Sequence, residues 1–228
     1  MKLLAFETSS RQGSVALQVD GAVHQEVIAT PREQTAQLLP LTSSLLRSAG
    51  LALQDLDAIA FGRGPGSFTG LRIAAAAAQG LGLATGLPLL PVSSLAATAQ
   101  GLWRTHRSSN TLVCVDARMG EVYWAAFEMQ DGLARVVGTE QITGPEQVSG
   151  AGMVSWSAAG SGFAVYSDEL AGLMAQASGV FAQACPKAID LFPLARTDLA
   201  AGQGCMPEDA NPAYLRPESA WKSAGGSG

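Results

Sequence analysis

Two acidic residues and a run of glycines are the parts of this sequence whose types and spacing could do chemistry. Glu7 and Asp116 each end an apolar strand-like run and open a short turn, followed by a glycine (Gly13, Gly120) and a second strand. Carboxylates placed this way can hold a magnesium–phosphate unit. Each can also simply accept backbone N–H bonds within its own turn. Between them lies FGRGPGSFTG, Phe61 to Gly70, where Gly62, Gly64, Gly66 and Gly70 permit a backbone path that side chains would block. The run Ala58–Phe61 reads as a buried strand, and an almost charge-free helix over Leu71–Ala84 follows the loop. The positive end of that helix points into the loop, as in many phosphate sites. The same glycines would also let a strand and a helix pack closely. No Lys follows Gly70, so the phosphate-loop pattern G-x-x-x-x-G-K-[ST] is not met.

Other chemistries find little support. His24 and His106 are the only histidines, far apart and in no His-x-x-x-His pair, which argues against a zinc or iron site. Cys114 sits in an apolar strand, as an inert buried thiol would. Gly64-Pro65-Gly66-Ser67 approaches the G-x-S-x-G nucleophile elbow, but Phe68 occupies the last glycine position.

The elements that must position these residues follow from periodicity and turn chemistry. Strands are expected at Lys2–Phe6, Ser14–Val19 and Ala22–Ala29, the last two joined by an Asp20-Gly21 hairpin. Thr30 suits an N-cap, Pro31 the first helical position and Glu33 the partner in a capping box. That helix should run to Ala49 and stop at Gly50, with Pro40 kinking or dividing it. A strand over Asp57–Phe61 leads into the loop and second helix. Leu87–Val92 is a further strand, and Ser93 or Ser94 caps a helix reaching Arg104. Arg104–Asn110 reads as a linker. Beyond it come strands at Thr111–Val115, Glu121–Phe127, Leu133–Ile142 and near Met153–Ala158, then helices at Asp168–Ala177 and Pro186–Ala201. Asn211–Lys222 reads as an ordered terminal segment and Ser223–Gly228 as a flexible tail. The two acids fall about half a chain apart in matching surroundings, which suggests an internal duplication.

Composition narrows the function. The 228 residues are 47% hydrophobic and only 14% charged, against about 25% charged in ordinary globular proteins. So little charge suggests that another protein covers part of the surface. A net charge of −5 argues against a chain that grips a nucleic-acid backbone alone. Three widely spaced cysteines, no secretory signal and no membrane-length apolar stretch point to a cytoplasmic protein. The helices support the idea of a covered surface. Leu38, Leu41, Leu45 and Ala49 form one stripe, with Leu39 and Leu46 on a different side. Ala74–Ala78, Gly80 and Gly82 would let another helix approach closely, or suit an ordinary core helix crossing a sheet.

Four strings carry a resemblance: FETSSRQGSVAL (Phe6–Leu17), FGRGPGSFTGLRIA (Phe61–Ala74), VDARMGEVYWA (Val115–Ala125) and NPAYLRPESAWK (Asn211–Lys222). They resemble the bacterial TsaB family of tRNA threonylcarbamoyladenosine biosynthesis proteins, most clearly over residues 1–127. The resemblance implies an α/β fold of the actin, hexokinase and chaperone type: two RNase-H-like halves, each a mixed β-sheet flanked by helices. The first would span 1–106 and carry the partner interface. A reduced second half would span 107–222, followed by the tail. TsaD-like chains, which transfer a threonylcarbamoyl group to tRNA adenosine, carry a His-x-x-x-His metal pair after the matching strand. Here that stretch reads Val92-Ser93-Ser94-Leu95-Ala96-Ala97-Thr98, with Ser94 and Thr98 at those places, so no metal site is implied.

The resemblance therefore implies a non-catalytic partner that activates a TsaD-like transferase together with a TsaE-like ATPase. It would be a homodimer when alone, would contact tRNA only within the complex and would have no membrane association. Leu38, Leu41, Leu45 and Leu46 would supply apolar contact with the partner's matching helices, and Ala74, Ala77, Ala78 and Leu81 would let those helices approach. Glu7, Gly64, Gly66 and Asp116 would be vestiges of a nucleotide site. No tightly bound cofactor is expected, and any nucleotide would be shared with partner subunits. The competing reading is a stand-alone phosphotransferase or ATPase of the same fold using Glu7 and Asp116. A metallopeptidase is a third reading, opposed by the missing histidine pair.

Overall fold

The computed structural model describes residues 1–216. Half of the expected terminal segment Asn211–Lys222, residues 217–222, and the whole 223–228 tail lie outside the described residues. The chain builds two five-stranded sheets. In the first, β1 (Lys2–Glu7), β2 (Gly13–Val19) and β3 (Ala22–Ile28) form an antiparallel meander, and β4 (Ala58–Gly64) and β5 (Leu89–Ser93) continue parallel to β1. The strand order is β3-β2-β1-β4-β5. The second sheet repeats this pattern. There β6 (Asn110–Arg118), β7 (Glu121–Gln130) and β8 (Leu133–Thr143) make the meander, and β9 (Ser157–Ala159) and β10 (Gly179–Phe181) run parallel to β6. Its order, β10-β9-β6-β7-β8, is the first order read from the other edge. This is the duplication that Glu7 and Asp116 suggested: Glu7 ends β1 and Asp116 lies two residues before the end of β6, the central strands.

Helices α1 (Pro31–Ser48) and α2 (Phe68–Thr85) cover one face of the first sheet over Leu4, Phe6, Val15, Leu17, Ile59 and Phe61. Helices α3 (Ser94–His106) and α6 (Ala188–Ala200) lie between the sheets, in a core that joins Leu3, Ala5 and Ala60 of the first to Val113, Ala125 and Phe127 of the second. The outer face of the second sheet has only short pieces on it, including the single-turn helices α4 (Gly162–Val165) and α5 (Ala171–Met174). Among the described residues no helix is long and apolar enough to cross a membrane.

Several boundaries differ from expectation for local reasons. α2 starts at Phe68, not Leu71, because Ser67 caps it, its Oγ accepting from Gly70 N at 3.3 Å. α1 runs unbroken through Pro40: buried Leu38, Leu45 and Leu46 on both sides of the proline pin it to the sheet, offsetting a cost of about 3 kcal/mol. The expected capping box does not form. Thr30 Oγ1 donates to Glu33 Oε2 at 2.8 Å, and no side-chain bond caps the backbone. α3 extends to His106, with Arg107 left-handed at φ 57° as its C-cap, so the linker shrinks to Arg107–Ser109. The helix expected at Asp168–Ala177 is only the single turn of α5, whose residues are not buried. β10, three residues long, carried no periodic signal.

Candidate functional site

β1 delivers Glu7 to the interior, where it is 0% exposed. Its Oε1 accepts from Ser9 N at 2.6 Å and its Oε2 from Ser94 Oγ at 2.9 Å. Burial pushes the carboxyl pKa up, and the bonds from Ser9 and Ser94 pull it partly back. Gly62 makes room for it, since a Cβ there would collide with Glu7 Oε2. Asp116 sits at the matching place in the second sheet. It accepts from Arg118 N at 2.8 Å and from Tyr166 OH at 3.2 Å, and it pairs with the Arg118 guanidinium at 3.1 Å. Both acids thus spend their oxygens largely within their own turns. Beside Asp116, burial pushes the Cys114 thiol up to about 12, leaving it a packing residue.

The glycine loop lies against the turn after β1. Ser67 N donates to Ser9 O at 2.8 Å and Thr8 Oγ1 to Gly70 O at 2.6 Å. A Cβ on Gly70 would collide with Thr8 O, and one on Gly66 would stand 2.7 Å from Ser9 O. Gly64 turns the chain at φ +103°. Close packing between segments therefore accounts for these glycines. Beside the glycine loop the halves enclose a small cavity of about 20 Å³ lined by Ser9, Ser10, Pro65, Ser94, Leu95, Thr98, Val115 and Pro186. That is room for about one water. Ser94 donates to Glu7 and Thr98 Oγ1 to Ser94 O at 2.9 Å. Two such hydroxyls do not fit a transition-metal site, and among the described residues no three of His, Cys, Asp and Glu gather into a ligand set.

Ties across the halves hold this cleft closed. Arg63 of β4 pairs with Glu140 of β8 at 3.1 Å, and Ser93 Oγ also donates to Glu140, at the edge of an open groove of about 450 Å³. The segment Asn211–Arg216 crosses from one half to the other. Ala213 N donates to Arg63 O at 2.8 Å, and buried Arg216 donates to Ala117 O and pairs with Glu121 at 2.7 Å.

The residues expected at the partner interface fall into two groups. Leu38, Leu45, Leu46, Ala74 and Ala78 are in the core under the first sheet, unavailable to another chain. Leu41, Ala77 and Leu81 are half-buried. The outer surface belongs to neighbours in sequence: Ala36, Leu39 and Pro40 on α1, and Phe68, Arg72, Ala76, Gly80 and Leu83 on α2. Leu39 is 48% and Leu83 72% exposed. The α2 residues recur at three- or four-residue steps, so they share one side of the helix. Gly80 is informative: a Cβ there would meet nothing within 4 Å. A glycine inside a helix costs about 1 kcal/mol against alanine, and nothing within the described residues requires this one. Sequence reasoning missed Leu83 and Phe68 because the stripes were placed without knowing which side met the sheet.

The chain matches the family model described as "TsaD: tRNA N6-adenosine threonylcarbamoyltransferase" over residues 21–203. It is 39% identical to the tRNA threonylcarbamoyladenosine biosynthesis protein TsaB of Escherichia coli K12, over 99% of each chain. It is 34% identical to the protein of that name from Haemophilus influenzae, over 99% of this chain and 98% of the other. A crystal structure from Pseudomonas aeruginosa, described as an uncharacterized protein with similarity to peptidase YeaZ, superposes with a TM-score of 0.87 and is 41% identical. The match covers 94% of this chain and 99% of that one.

Proposed function

The chain belongs to the TsaB family of tRNA threonylcarbamoyladenosine biosynthesis proteins, and we propose that it serves there as a non-catalytic subunit. It docks through the outer face of α1 and α2 on a TsaD-type transferase, favours the active shape of that enzyme, and works with a TsaE-type ATPase in the cytoplasm. A partner that binds one state better shifts the population toward it. The observation that carries this reading is the α2 face: Leu83 is 72% exposed beside an open, mid-helix Gly80. Such a surface suits close approach of a second helix. Since the family model of TsaD spans both α1 and α2, a TsaD-type chain has equivalent helices to offer, and the two faces can meet about a pseudo-two-fold axis. In the lone chain the same face meets a second copy.

The cavity of about 20 Å³ beside Ser9, Ser94 and Thr98 has no room for a nucleotide, in keeping with a subunit that has no reaction centre at that place. Any nucleotide would be held jointly with partner subunits, and the net charge of −5 suits tRNA contact only within the complex. The test is reconstitution of tRNA modification from the TsaD-type and TsaE-type proteins, with and without this chain. Modification should fail without it and with Leu83→Glu. Full-rate modification in its absence overturns the proposal.

A further inference from the structure

The exposed charged residues of α1 and α2 are all arginines, in a chain that is acidic overall. Arg32 and Arg47 stand exposed at the two ends of the outer side of α1, and Arg72 stands exposed near the start of α2. The net charge of the whole sequence is −5. Among the described residues the ion pairs involve Met1, Arg63, Arg104, Arg118 and Arg216, and none of these three arginines. No acidic residue occurs in α2, and the only one in α1, Glu33, is half-buried and accepts from the Thr30 hydroxyl.

Arg72 is held in place with its charge uncompensated among the described residues. Its guanidinium lies 3.7 Å over the Phe68 ring and 5.9 Å from the Tyr214 ring, and its Nε donates to Tyr214 OH at 3.2 Å. A stacked guanidinium keeps its fork available for a carboxylate and loses little entropy when it binds one. Two copies meeting through this face would set Arg32, Arg47 and Arg72 of each against helices whose one acid is Glu33.

We infer that the arginines on this face select an acidic helical surface on a different chain over a second copy of this one. The apolar stripe supplies contact, and the charges supply the choice of partner. This rests on the proposed docking to a TsaD-type chain and specifies what that chain presents: carboxylates at the two ends of α1 and beside the start of α2.

The experiment uses the full-length chain and its cognate TsaD-type protein, with titration calorimetry for their association and sedimentation for self-association. Arg32→Gln/Arg47→Gln, neither of whose side chains supports the core, should weaken the heterologous complex about tenfold or more and tighten self-association. Raising salt from about 0.05 M to about 0.5 M should weaken the heterologous complex and strengthen the homodimer. Leu83→Glu serves as the control for the face itself. If Leu83→Glu abolishes binding while the double variant and salt leave both associations unchanged, the inference falls and the docking face stands. If Leu83→Glu also binds normally, the docking reading falls and takes the inference with it.

Discussion

Replacing Gly80 with alanine should stabilise the free chain and weaken its docking, two effects of opposite sign from one methyl group. The first follows from helix energetics. Gly80 lies inside α2, more than a turn before its last residue, and its backbone is not left-handed. An added Cβ meets nothing within 4 Å, so alanine brings its full propensity advantage of about 0.5–1 kcal/mol with no clash to subtract. For a chain of this size that is a rise of about 1–4 °C in Tm. The second effect depends on contact: if a helix backbone crosses at Gly80, the methyl group fills the approach, and Gly80→Leu should do so more completely, reducing affinity at least about tenfold. Differential scanning calorimetry of the free chain and titration against the TsaD-type partner measure the two. A lower Tm for Gly80→Ala would mean that the outer side of α2 is not open. Undiminished binding by Gly80→Leu would mean that no helix crosses there.

Glu7→Gln should leave the fold intact and flatten part of its pH dependence. Burial raises the Glu7 pKa in the folded state above its ordinary 4.5. Its contribution is therefore fully present below that ordinary value and is lost as pH rises through the folded one; urea melts of the two proteins from about pH 4 to 8 should diverge in that direction. Arg104→Met should cost about 3 kcal/mol, because it strands the Asp190 carboxylate, 1% exposed and held by Arg104 at 2.7 Å; Arg104→Met/Asp190→Asn should recover most of the loss in the same melts. The pure chain should turn over no ATP, and Asp116→Asn should change nothing in that assay; robust turnover removed by Asp116→Asn would instead make this an enzyme of the actin-like fold. Glu140→Gln should speed hydrogen exchange along β8 while leaving α1 unchanged, since Arg63 and Ser93 lose their shared anchor.

The central strands, the first three helices and both acidic turns were legible because each rests on a strong local signal: the apolar runs of β1 and β4, the Thr30-Pro31 start, the Asp20-Gly21 turn at φ 48° and 97°. The duplication, though not the strand order, could be glimpsed from the matching surroundings of Glu7 and Asp116. After Gly144 the helix expected at Pro186–Ala201 is α6, but the stretch before it was poorly legible, since β9, β10, α4 and α5 are three or four residues long and are fixed by tertiary contacts such as Trp156, Phe163 and Leu170 under the second sheet. The site was half legible. Periodicity placed apolar stripes on α1 and α2 but gave no way to tell which stripe met the sheet, so Leu38, Ala74 and Ala78 were read as contacts although they belong to the core. Gly62 could be seen as a glycine, but its purpose lay in Glu7, on a different strand and far away in sequence.

The placement of α6 sets the order in which the molecule can be made. Ala188 N donates to Ser14 Oγ at 2.9 Å, a bond between residues 174 positions apart, and Ile189 N donates to Gln25 Oε1 at 3.0 Å. A ribosome therefore releases the amino-terminal sheet with the face under α6 covered by α3 alone and must translate most of the chain before the closing helix emerges. During that interval the nascent polypeptide exposes Leu3, Ala5 and Ala60, a surface that a chaperone would have to shield. Expression of a fragment ending before residue 188 should accordingly yield aggregates rather than a soluble half.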